Sequence, residues 1–149
     1  MSFIEEVWEE IKYEIEGSTD ADLGDAAMVF LGGLPDPEGY YPTVSILVTS
    51  RTTGYWSLHE IVEIEDQFER DNTPGYQELS RVETTIGGRE AIIIDSKDNE
   101  PAYGPWRYLQ IATVDDEYAW WVTCSCELGD FENFESVFYS IVRSFRSYR

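Results

Sequence analysis

Lysine is nearly missing from this 149-residue chain: Lys12 and Lys97 are the only two, and with eight arginines they face thirty acidic residues, for a net charge of −20. A field of that sign repels phosphate backbones and anionic lipid surfaces, so nucleic acid and direct binding to acidic membranes are excluded as partners. It favours cationic partners, divalent cations or a high-salt setting. Histidine is rarer still. His59 stands alone, at a position that reads as a solvated helix residue, which argues against a Ser/His or Cys/His arrangement. Cysteine occurs twice, as Cys124 and Cys126. Two thiols cannot build a disulfide framework, and residues i and i+2 of a strand stand roughly 6.8 Å apart, at the far edge of disulfide geometry. No apolar run approaches the ~18 residues of a membrane-spanning helix. The acidic, amphipathic start MSFIEEVWEE lacks the features of a secretory signal. The compartment expected is the cytoplasm if Met1 is the native start, and extracytoplasmic if the chain is a mature exported fragment.

What is present is a globular composition, 42% hydrophobic and 27% charged, at a length that suits one domain, residues 1–149. Ser2 and Glu5 open a first predicted helix with a capping box, followed by Ile4, Trp8, Ile11 and Ile15 at helical spacing. Strands are predicted over 26–31 and 43–50. Ser57 and Glu60 form a second capping box, with Leu58, Ile61, Val62 and Phe68 as the apolar stripe of the helix that follows. Gly87-Gly88 between two strand-like runs predicts a two-residue hairpin, because both central positions need positive φ. Strands over 106–114 and 118–127 flank the turn Asp115-Asp116-Glu117. Asp130 then caps a last helix striped by Phe131, Phe134, Phe138, Ile141, Val142 and Phe145.

Several strands are apolar on both faces. Ile92 and Ile94 point one way, Ala91 and Ile93 the other, and Trp120 and Trp121 point oppositely. A sheet with one wet face would not be written so. The predicted fold class is α+β: a mainly antiparallel sheet with helices on both faces. In the run YAWWVTCSC, Tyr118, Trp120, Val122, Cys124 and Cys126 share one face and Ala119, Trp121, Thr123 and Ser125 the other. The thiols therefore continue an apolar row and read as small core hydrophobes rather than metal or redox ligands.

Three aromatic loops are candidate interface residues: Tyr40 and Tyr41, Tyr55 and Trp56, Tyr103 and Trp106. Asp20, Asp22 and Asp25 offer oxygen ligands at short spacing, a candidate calcium site out of register with an EF-hand. Asp95, Asp98, Asn99 and Glu100 form a second acidic cluster. The leading expectation is a non-catalytic binding or assembly module that docks a protein partner through aromatic loops and an acidic surface. A small-ligand or calcium-binding domain is the first alternative. An enzyme using a carboxylate pair is the second, since with thirty acids some pair always lies close.

The succession AMVFLGG, PTVSILVTS, SLHEIVEIEDQFER, YQELSRVETTIGGREAIIID, WRYLQIATV, YAWWVTCSC and FENFESVFYSIVRSFR resembles the PsbP-like family over about residues 26–146. The turn Gly87-Gly88-Arg89-Glu90-Ala91 and the terminal pair Ser144-Phe145 carry the likeness. The resemblance implies an α/β/α sandwich with an antiparallel sheet, and a binding or assembly role like those of a photosynthetic oxygen-evolving subunit, bacterial lipoproteins and a Ran-binding import factor. It carries over no functional residue.

Overall fold

The computed structural model describes residues 26–30, 42–50, 56–99, 105–116 and 118–145. Strands β1 (Ala26–Phe30) and β2 (Thr43–Ser50) precede helix α1 (Leu58–Asn72). Strands β3 (Gln77–Ile86), β4 (Arg89–Lys97), β5 (Trp106–Val114) and β6 (Tyr118–Glu127) follow, and a 3-10 turn at Leu128–Asp130 leads into helix α2 (Phe131–Ser144). One six-stranded sheet results, in the order β1-β2-β6-β5-β4-β3, with every pairing antiparallel. The chain crosses from β2 to the far edge through α1, then meanders back until β6 closes against β2.

Local chemistry sets the turns. Gly87 and Gly88 take φ of 59° and 79°, as the β3–β4 hairpin requires. Gly75, at φ 71°, ends the α1–β3 connection, where an added Cβ would stand 2.6 Å from the Asn99 side chain. Ser57 caps α1 by accepting from the Glu60 amide at 3.2 Å. Asp130 occupies the N-cap of α2 without a side-chain capping bond; the preceding 3-10 turn makes that entrance instead.

Helices cover both faces of the sheet. Against α2 lies the larger core, where Val44, Ile46, Ile93, Leu109, Ile111, Trp120, Val122, Cys124 and Cys126 meet Phe131, Phe134, Phe138, Ile141, Val142 and Phe145. Rings interlock there: Phe134 stacks on Phe138 with centroids 6.0 Å apart, and Trp120 meets Phe145 at 5.8 Å. Against α1 lies a smaller core of Leu58, Val62, Ile92, Ile94, Ala112 and Trp121. The alternation read from YAWWVTCSC holds, with Cys124 and Cys126 both buried in the α2 core.

One part of the α1 stripe is corrected. Phe68 is 57% exposed, and the next inward position after Leu58 and Val62 belongs to Asp66, which is 5% exposed. At about 100° per residue, Phe68 lies about 120° round the helix from Val62, whereas Asp66 lies only about 40° away. The predicted first helix falls outside the described residues.

Candidate functional site

The first half of α1 sits tightly on the sheet because Leu58 and Val62 meet apolar partners. Its second half does not. Beneath it run two cross-strand rows of polar residues: Glu78, Ser96, Tyr108 and Ser125 in one, with Gln110 and Thr123 in the next. Facing them, the helix offers Glu65, Asp66 and Glu69, and Tyr76 closes the end. Polar side chains on both surfaces hold the layers apart, and a cavity of about 230 Å³ remains. Val62, Ile94 and Trp121 give it an apolar floor.

Two carboxylates of this wall are answered. Asp66 accepts from the Tyr76 hydroxyl at 3.2 Å and pairs with Arg70 at 2.9 Å. Glu78 pairs with Arg81 at 2.8 Å, and Arg81 also bonds Glu63. Neither arginine lines the cavity, and none of its lining side chains is basic. Glu65 and Glu69 lie one helical turn apart and form no ion pair with a described residue. Glu69 accepts from the Thr73 hydroxyl at 2.5 Å. Burial pushes the Glu65 carboxyl up from its ordinary value, and the charge and hydrogen bond of Glu69 push it further. Burial likewise raises Tyr76, helped by Asp66, Glu78 and Glu69, so its hydroxyl stays a donor. On the sheet, Gln110 donates to the Thr123 hydroxyl at 2.9 Å and Tyr108 donates to Asp98. Ser96 is 1% exposed and lines the cavity beside Tyr108, Gln110 and Thr123.

The residues singled out in the sequence fall elsewhere. Tyr40, Tyr41, Tyr55, Tyr103, Asp20, Asp22 and Asp25 lie outside the described residues. Trp56 is 49% exposed just before the α1 cap. Trp106 is half-buried at the start of β5, where its amide donates to Asp98 at 3.2 Å. Of the second acidic cluster, Glu100 lies outside the described residues, and Asp95 and Asp98 are already engaged. Asp95 holds Arg107 with both oxygens, at 2.6 and 2.8 Å, while Arg107 lies 4.0 Å over the Phe131 ring. Asp98 is buried and occupied by Trp106 and Tyr108. Among the described residues no three His, Cys, Asp or Glu side chains come together to hold a metal ion.

Chemically, the cavity is fit to bind. A carboxylate pair does exist in a cleft, but Glu65 and Glu69 stand one turn apart on the same helix, whereas glycosidic chemistry sets its two acids on opposite sides of the bond to be broken. His59 points outward to Glu83 at 3.1 Å. Burial pushes the Cys124 thiol far up, away from the reactive thiolate.

No protein-family model matches the sequence, and neither does any curated protein. Solved structures do. PA94 of Pseudomonas aeruginosa, a protein of unknown function, superposes with a TM-score of 0.73 at 12% identity over 90% of this chain and 88% of its own. The solution structure of the cyanobacterial PsbP of Synechocystis sp. PCC 6803 gives 0.56 at 11% identity, over 88% and 91%. LpqN of Mycobacterium tuberculosis, involved in cell envelope biogenesis, gives 0.58 at 13% identity, over 85% of each chain. At such identities the likeness is one of fold, and the fold is PsbP-like.

Proposed function

We propose that this PsbP-like chain is a non-catalytic binding module whose ligand site is the cavity between α1 and the sheet. The observation that carries the reading is the cavity itself: about 230 Å³ between the layers, lined by Glu65, Asp66 and Glu69 of the helix and by Ser96, Gln110 and Thr123 of the sheet. A fold built only for stability would fill that space with apolar side chains. The four carboxylates of the wall exclude anions. A thermal-shift panel of small cationic, neutral and anionic compounds tests the reading. Cationic or neutral members raise the melting temperature of the native chain and leave a Ser96→Leu variant, whose cavity is filled, unmoved. A panel in which nothing binds, or in which both proteins respond equally, overturns it.

A second reading rests on a different surface. Ile64 and Phe68 are 51% and 57% exposed on one side of α1, with Trp56 before its cap. On a chain of net charge −20 this strip suits a basic protein partner. Phe68→Glu abolishes capture of such a partner if the strip is the interface; unchanged capture removes the proposal. Calcium at Asp20, Asp22 and Asp25 is a separate proposal from spacing alone. Calcium calorimetry decides it, since absence of both heat and thermal shift eliminates the site.

A further inference from the structure

We infer that the ligand of the α1 cavity is an organic monocation with a short apolar tail, such as an arylalkylammonium, and that its charged head takes the place of a proton held between Glu65 and Glu69. The inference rests on the binding reading above and names its chemistry.

Charge decides the sign. Carboxylates line the cavity and no basic side chain does. The C-terminal end of α1, where carbonyls carry partial negative charge, lies over the same space. Asp66 and Glu78 are already neutralised from behind by Arg70 and Arg81. Glu65 and Glu69 are not, and two like charges one helical turn apart repel. The remaining titratable groups of the wall, Tyr76 and Tyr108, are hydroxyls whose protons go to Asp66 and Asp98. A proton on Glu65 is therefore the device that relieves the pair in the empty cavity, in line with the upward push on that carboxyl.

Shape decides the class. No three described side chains are placed to hold a metal ion, so a hard dication lacks its oxygen cage. Trp121, Val62 and Ile94 form an apolar floor, and an indole face attracts an ammonium or guanidinium. An apolar cavity of about 150 Å³ accepts benzene, so 230 Å³ takes an aryl ring with a short ammonium arm. Ser96, which lines the same space, can then accept from an ammonium N–H. The exchange balances: one cation enters, one proton leaves for the buffer, and the charge of the complex equals that of the free protein.

Calorimetry of the full chain with phenethylammonium, at about pH 5.5 where an ordinary glutamate is ionised, tests this in two buffers of different ionisation enthalpy. A blocked lysine tripeptide forms a second arm, and the tighter arm tells whether the head comes from a free amine or a side chain. The expected result is a buffer-dependent heat equivalent to release of up to one proton, with affinity rising up to tenfold per pH unit in that window. Glu65→Gln binds more weakly and with buffer-independent heat. Binding by the native chain with buffer-independent heat overturns the proton exchange and leaves the binding reading standing. Equal binding of phenylacetate overturns the charge assignment. No binding in either arm, by heat or by thermal shift, overturns the inference; if the neutral compounds of the panel fail as well, the binding reading falls with it.

Discussion

One sheet here has two unlike faces. The α2 face is closed by aromatic residues: Phe131, Phe134, Phe138 and Phe145 meet Trp120, with Cys124 and Cys126 filling the space behind. Each large ring so buried contributes roughly 1.5–3 kcal/mol, and each interlocked pair about 0.5–1.5 kcal/mol more. The α1 face carries a core of six buried residues, and only the first half of its helix touches it closely. Beyond Val62 the helix turns carboxylates toward a polar stretch of sheet, and a cavity takes the place of packing. The same strands β4, β5 and β6 supply both faces, so the difference lies in which side chains each face carries. The difference teaches that one face holds the fold and the other can be given to a ligand.

The comparison is sharpened first where the effect is largest. Phe138→Ala, at a position with no exposure, should lose about 3–5 kcal/mol, read as a shift in the urea midpoint. Filling the other face should act in the opposite direction. Ser96→Val replaces a hydroxyl of the cavity wall with a methyl group and narrows the cavity, and should raise stability by about 0.5–2 kcal/mol while abolishing ligand binding. A loss of stability instead would mean that the hydroxyl is already satisfied.

A smaller effect follows pH. The Glu65 carboxyl is raised above its ordinary value of 4.5 in the folded chain. Its contribution is therefore fully present below that value and is lost as pH rises through the folded pKa. Glu65→Gln should match the native protein in stability at pH 4 and below, and exceed it near neutrality; parallel urea curves at the two pH values check this. Smallest of all, His59→Ala removes an exposed pair with Glu83 and should change stability by less than about 1 kcal/mol, in the same urea assay.

Much of the α2 face was legible in the sequence, because apolar periodicity reports apolar packing. The phenylalanine stripe of α2, the opposed tryptophans and the buried thiols all follow from spacing alone. Ser57 and the Gly87-Gly88 hairpin were legible for another reason: cap and turn chemistry is local. The cavity was not, since the residues that make it are polar. Ser96, Gln110 and Thr123 add nothing to an apolar pattern, and Asp66 is one acid among thirty. Phe68 is hydrophobic but out of phase with Leu58 and Val62, so it faces outward. One signal was there: Asp66 continues the i, i+4 line of Leu58 and Val62, and an acid in phase with an apolar line marks a helix face that turns inward onto something polar. Of the interface aromatics, Trp56 and Trp106 lie among the described residues, the first exposed and the second half-buried.

Backbone-amide chemical-shift mapping with phenethylammonium tests the division between the two faces most directly. The account predicts that shifts gather at Ser96, Gln110, Thr123 and the Glu65–Glu69 turn, while Phe131–Ser144 stays still. Shifts centred on α2, or saturable binding that leaves Ser96 unmoved, would contradict it.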